Sequence, residues 1–550
     1  MKSLYQRSRI PAAGAVLASV VLAATMLAAP GSGAGAASKA HTGGVMTIGI
    51  GTNPSSLNGN VNDNISIEPI ERMYANSLFN VNGKNELVPE LATSYKVSTD
   101  GMTYTMSLRH GVKWSDGKPF TSKDVAFTLN KFLAVNPLVS AALPQDVTNV
   151  KTKGKYQVVV TLKEPFAPFM VGLAASTVFV EPQHVYGNKT VLKDSQANDH
   201  PIGTGPYVVK QWVPDQKIVL VRNPHYWGTT KTKPIPYFKE VVADIVTNPQ
   251  TMVDDLLNGT IDYISTSFLP FTSITTIKKQ GCCRIVLVHG TPSYDIMFTN
   301  TARAPFNNPT VRKAVYMAIT RKLLVKDTLS GHGLVPKAPI PSTYAQLYTP
   351  KITLLKQYPY DPTKAAQMLD KAGFPATNGE RFGKAITLLY SSGTGTFATE
   401  TAAFFKSALS KITINVNVVS QEITSWATQT FVKKDFTLSF IGFTSENDPS
   451  LGISRAFACQ PTPTAEWTNA SSFCTKKVTT LWHQAVLEAT VSKRQHIFAE
   501  VQKIVDTKLP NYELGWRSAY VAVSKKVKNW KQELLRWGGS YNTTWTIAHF

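Results

Sequence analysis

The residues of this chain best suited to chemistry are two carboxylates that follow an apolar strand. Leu438-Ser-Phe440-Ile-Gly442-Phe443 reads as that strand, and Thr444-Ser-Glu446-Asn447-Asp448-Pro449 continues it as a loop. A carboxylate at the end of a strand can hold an amine through a charge-assisted hydrogen bond worth about 1.5–3 kcal/mol. An acid before proline can instead bond the backbone amides of its own turn, the local alternative for Asp448. A second candidate is Tyr390-Ser-Ser392-Gly-Thr394-Gly-Thr396, a small hydroxyl-rich loop between a strand and a helix. Its Ser392 suits a polar backbone or a sugar.

Catalytic motifs are missing from the sequence. It has no Gly-x-Ser-x-Gly elbow, no His-Glu-x-x-His, no Walker A loop and no Cys-x-x-Cys. The 10 histidines are scattered, and His483 and His496 are not one helical turn apart. Asp254 and Asp255 occupy adjacent helical positions and cannot face one site. Gly203-x-Gly205 is followed by Pro206 and by no helical pattern, which sets aside a phosphate loop. The expectation is a binding protein with no catalytic residue, no cofactor and no metal site.

The 4 cysteines form two groups. Cys459 and Cys474 flank a Pro/Thr/Ser/Asn-rich stretch, where an exported chain can form a disulfide worth about 3 kcal/mol. Cys282 and Cys283 are adjacent and fit either a vicinal disulfide or two free thiols. Export is read from the first residues. Lys2, Arg7 and Arg9 precede an apolar run from Ala12 to Ala29, and small residues follow to Ala37. This is the pattern of a signal peptide spanning 1–36, cleaved after Ala36 or Ala37. The apolar run also reaches the lower limit of a membrane-spanning helix, so a retained anchor is the alternative. No cysteine precedes Cys282, so there is no lipobox cysteine.

A chain of 550 residues is too long for one core and calls for two or three lobes. Its net charge of +22 comes from dispersed Lys and Arg without long runs. Such a surface argues against nucleic acid and for peripheral contact with anionic head groups or an acidic wall polymer.

The elements that must position the acidic loop are of alternating kinds. Strands are expected at 44–51, 102–108, 156–162, 218–222, 241–246, 285–299, 386–390, 412–419 and 436–443, with helices at 68–79, 252–258, 310–326, 362–369, 399–410, 478–490 and 493–507. Thr121 and Asp124 have the spacing of a capping box. Alternating strands and helices imply an α/β fold.

Several segments, in order, carry a resemblance to a known family. They are Trp114-Ser-Asp116-Gly117, Gly203-Thr-Gly205-Pro206-Tyr207, Arg222-Asn-Pro224-His-Tyr226-Trp227, Ile261-Asp262, Val311-Arg312-Lys-Ala314 and the 442–449 stretch. The set is similar to the family 5 extracellular solute-binding proteins of bacterial ABC importers, which include dipeptide, oligopeptide and nickel receptors. The resemblance implies a two-lobe periplasmic-binding-protein-like fold (type II, cluster C) with an extra subdomain in the first lobe and two hinge crossings. It divides the mature chain into lobe I at 37–75, 200–288 and 512–550, the extra subdomain at 76–199, and lobe II at 289–511. It implies a monomeric periplasmic or cell-surface receptor that delivers oligopeptides from an inter-lobe cleft to membrane permease subunits. A nickel chelate, oligosaccharide or opine is the alternative cargo, and an exported hydrolase the alternative class. By the same resemblance Glu446 meets a peptide ammonium, Phe443 stacks on ligand, Trp426 lines the cleft, Asp448 is a further contact, and Cys459 and Cys474 match a cysteine pair of the dipeptide receptors. Ser392 stands near the place where dipeptide receptors carry an arginine for the peptide carboxylate; no arginine is present in that loop.

Overall fold

The computed structural model describes residues 43–530 and 548–550, apart from 63–65, 82–85, 134, 137–146, 175–177, 190–191, 193–194, 230–234, 343, 345, 350–352, 393–394, 445–447 and 460–466. The segment 1–36, read as a signal peptide, lies outside them. The strands are β1 (Val45–Ile50), β2 (Phe79–Val81), β3 (Leu87–Pro89), β4 (Ala92–Val97), β5 (Thr103–Leu108), β6 (Val147–Thr152), β7 (Gln157–Leu162), β8 (Tyr207–Val213) and β9 (Lys217–Arg222). They continue with β10 (Glu240–Ile245), β11 (Tyr263–Ile264), β12 (Cys283–Thr299), β13 (Gly333–Leu334), β14 (Ile386–Ser391), β15 (Val416–Gln421), β16 (Leu438–Thr444) and β17 (Asn511–Ser524).

One mixed sheet runs in the order β15-β14-β16-β12-β17-β11-β1-β10-β9-β8, with β13 paired to β17. At one end Met46, Ile48, Tyr207, Leu220, Val241 and Val523 build a buried core. At the other, Leu388, Phe405, Leu438 and Tyr512 build a second one. The middle of the sheet is the long antiparallel pair β12 and β17, of 17 and 14 residues. Ser293–Thr299 of β12 also pairs with β16, whereas Cys283–Val288 pairs with the end of β17, beside β11. The register of β12 against β17 shifts between Val288 and Ser293, around the stretch that contains Pro292. Proline has no N–H to give a ladder.

A smaller sheet, β4-β5-β7-β6, stands apart. Along β5 Tyr104, Met106 and Leu108 are buried and alternate with half-buried Thr103, Thr105 and Ser107, the pattern of a strand with one face on a core. Helix Ser122–Lys131 covers it, and its start is closed by a capping box: the Asp124 carboxylate accepts from the Thr121 amide at 2.8 Å, while the Thr121 hydroxyl accepts from the Lys123 amide. Trp114 and Phe120 are fully buried in this core.

Two helices are shorter than their sequence pattern suggests. The helix expected at 68–79 covers Glu68–Tyr74. It stops because the Tyr74 carbonyl accepts the Gly205 amide at 2.8 Å and the chain turns outward into β2. A side chain on Gly203 would collide with that carbonyl, so the Gly-Thr-Gly turn exists to let two backbones touch. The helix expected at 310–326 breaks into Pro309–Ala318 and Arg321–Thr328, with Ile319 extended. Arg321 compensates: its guanidinium donates to the carbonyls of Tyr316 at 3.1 Å and Tyr358 at 2.9 Å.

Candidate functional site

The central strands bring three residues together that are distant in sequence. Asp295 on β12 lies opposite Gly442 on β16, and Arg517 on β17 lies opposite Ser293, two residues earlier on β12. The Asp295 carboxylate is fully buried, and Arg517 Nε stands 3.1 Å from its Oδ2. Burial pushes the Asp295 carboxyl up to about 6, against the opposing pull of the Arg517 charge. The arginine itself keeps 34% of its side chain exposed. Its guanidinium carbon lies 5.4 Å from the centre of the Phe397 ring, within cation–π range. Residue 442 must be glycine for this arrangement, because a Cβ there would collide with Arg517 Nη2 and come within 2.8 Å of Asp295 Oδ1.

Phe397 also lines a cavity of about 360 Å³ between the two ends of the large sheet. One wall holds Gly51, Thr52 and Phe268 of the β1 end, and the other holds Thr328, Phe397 and Glu400. The lining mixes hydroxyls, aromatic rings and aliphatic side chains such as Val246, Met252 and Leu269 with one carboxylate, and burial raises the pKa of Glu400. Such a cavity suits a small polar solute with some apolar surface.

Most of the residues singled out from the sequence lie elsewhere. Trp426 is a correction: it is fully buried, its indole N–H donates to Ser439 Oγ at 3.0 Å, and its ring packs against Phe431 and Trp467. It is a core residue of the short helix Ile423–Ala427, not a cleft wall. Phe443 is buried too, between Tyr294 and Phe298, with the Arg455 guanidinium 4.6 Å from its ring centre. Neither face is left for a ligand. Asp448 takes its local role and adds a distant one. Its Oδ1 accepts the Ser450 amide at 2.9 Å, and Arg494 donates to both carboxylate oxygens at 2.8 and 2.7 Å. Its charge is neutralised inside the protein, although the pair borders a second cavity of about 770 Å³ between the small sheet and the C-terminal helices. Ser392 is exposed at the end of β14. Glu446 lies outside the described residues. Cys459 and Cys474 are disulfide-bonded, and Cys282 and Cys283 are free thiols with sulfurs 2.6 Å apart.

Asp295 and Arg517 were not among the expected residues. Their signal in the sequence is a charge inside an apolar strand: Tyr294-Asp295-Ile296-Met297-Phe298, and Leu514-Gly-Trp516-Arg517. Among the described residues no group of three or more His, Cys, Asp or Glu is placed to hold a metal, and no helix is long and apolar enough to cross a membrane.

Comparison with known proteins agrees with this architecture. Residues 86–462 match the middle region of the bacterial extracellular solute-binding proteins, family 5. The chain is 26% identical over 476 residues to the glutathione-binding protein GsiB of Salmonella choleraesuis, covering 84% of this chain and 86% of that protein. The fold is similar to DppA, an ABC transporter-associated periplasmic binding protein of Helicobacter pylori solved with a peptide (TM-score 0.73, 23% identity, 93% of this chain and 98% of that one). It is also similar to NikZ of Campylobacter jejuni, solved with a nickel–histidine complex (TM-score 0.77, 21% identity, 92% and 99%). The matched region covers most of the chain and the two-lobe fold is shared: the protein belongs to the family 5 bacterial extracellular solute-binding proteins, and it is a substrate receptor of an ABC importer rather than an enzyme.

Proposed function

We propose that this receptor takes up short peptides in the cavity between its two lobes and presents them, as an exported monomer, to the permease. The observation that carries the reading is the 360 Å³ cavity, walled from both ends of the sheet by hydroxyls, aromatic and aliphatic side chains and one carboxylate. A peptide needs such a mixture, because its backbone and termini take hydrogen bonds while its side chains rest on apolar or wet surface. The likeness to a glutathione-binding protein supports the class, since glutathione is itself a short peptide. In this reading Glu446 takes the peptide ammonium and Ser392 a backbone group. Lobe I is formed by 37–75, 200–288 and 512–550, the subdomain by 76–199 and lobe II by 289–511. The lobes close by rotation about β12 and β17, and contacts made only in the closed form shift the population towards it. The positive surface favours peripheral contact with anionic head groups.

Native mass spectrometry of the protein as purified, followed by thermal-shift screening with short peptides and with sugars, tests this. Co-purified peptide, or a peptide-induced shift that Glu446→Ala abolishes, is the expected result. A shift produced by sugars or nickel chelates alone replaces the cargo and leaves the receptor role intact.

A further inference from the structure

Arg517 is unusual for a charged residue in the middle of a sheet. It sits on β17, one of the two strands common to both ends of the sheet, and it is neither buried nor free. Asp295 approaches its Nε atom at 3.1 Å and is itself completely buried. Phe397 covers part of the planar group. The absence of a side chain at Gly442 leaves the space that Nη2 occupies. Among the described residues, no acceptor forms a hydrogen bond with either Nη atom. An arginine has five N–H donors in a rigid fork, and the Nη edge matches a carboxylate with two parallel bonds. A guanidinium ion-paired with a buried carboxylate and set beside an aromatic ring is restricted in direction before any ligand arrives, which lowers the ordering cost of binding. The ring that braces it also lines the inter-lobe cavity.

We propose that Arg517 is the carboxylate anchor of the binding cleft: its Nη edge receives a carboxylate of the solute, and Asp295 is the positioning residue that holds the guanidinium from behind. The arginine absent from the Ser392 loop is thus supplied from the strand pair. The ligand class is an anionic or zwitterionic solute, with the carboxylate at a peptide C-terminus or on a side chain. This deepens the reading of the cavity as the solute site and rests on it.

The test is isothermal titration of the full protein with matched ligands. Tri-alanine and its C-terminal amide form one pair, Ala-Glu-Ala amide adds a side-chain carboxylate alone, and an oligogalacturonide with its neutral galactan counterpart covers sugars. The expected result is that a carboxylated member binds about 10–100-fold more tightly than its neutral partner. Arg517→Gln removes that preference. Because Arg517→Gln strands a buried carboxylate, two further variants guard against misfolding. Arg517→Gln with Asp295→Asn deletes both charges together, and Gly442→Ala keeps both charges while displacing the guanidinium. Each folded variant is expected to lose the same preference. Peptide binding in which no carboxylated member exceeds its neutral partner, with Arg517→Gln unchanged, overturns the anchor and leaves the peptide reading standing. A preference retained by all three folded variants also overturns it. Binding of no member of the panel overturns both readings.

Discussion

Arg494 grips Asp448 with both Nη atoms, at 2.8 and 2.7 Å, and both residues are buried. The pair ties the helix Val491–Lys508 to the turn that ends the acidic loop. Removing one partner leaves the other charge buried alone, so Asp448→Ala or Arg494→Ala is expected to cost about 3–5 kcal/mol. Urea denaturation monitored by circular dichroism measures it. Loss of ligand binding with unchanged stability would instead make Asp448 a ligand contact.

Trp426→Phe keeps a large ring in the core but deletes the donor to Ser439. The expected loss is about 1–3 kcal/mol of stability, with peptide affinity unchanged. A drop in affinity without a drop in stability would return this residue to the cleft.

Gly203→Ala forces a methyl against the backbone carbonyl of Tyr74. A flexible side chain could yield, but a helix terminus cannot, so the cost is expected at or above the upper end of about 1–3 kcal/mol for overpacking. Gly111→Ala is the comparison: its φ of +73° carries a backbone cost that Gly203 does not, but the added methyl meets no atom within 4 Å. Thermal melts of the two variants should separate clearly.

Asp506 and Glu513 are both buried, and the charge of Glu513 acts on Asp506, with Tyr316 and Arg321 in the same neighbourhood. Burial, and for Asp506 also the neighbouring Glu513, raises their carboxyls from 3.8 and 4.5 to about 9 and about 8. The folded protein therefore keeps protons that the unfolded chain releases above pH 4. Stability contributed by the protonated pair is complete below that point, falls as pH rises, and levels off above about pH 9. Asp506→Asn should flatten this slope by up to about 1.4 kcal/mol per pH unit. Urea titrations across the pH series read the difference, and an identical slope in the variant would show that Asp506 holds no proton.

Local features were legible in the sequence to the extent that their causes are local. The capping box at Thr121, the strand at β5 and the turn role of Asp448 each depend on residues within a few positions. The early end of the helix at Tyr74 was not legible, because its cause, Gly205, is far along the chain. Trp426 shows the same limit. An indole can serve a core or a cleft, and only the sheet that brings Ser439 to its N–H decides. Asp295 and Arg517 carried a signal, a charge amid apolar strand residues, but their meeting depends on the register of two strands from different parts of the chain.

The pairing of β12 with β17 has a mechanical consequence. The two strands are bonded to each other on both sides of the register shift. A two-stranded ribbon resists sliding, since each ladder bond would have to break, yet it twists readily. In the closure proposed above, reorientation of the lobes would be torsion of this one ribbon instead of independent bending of two tethers.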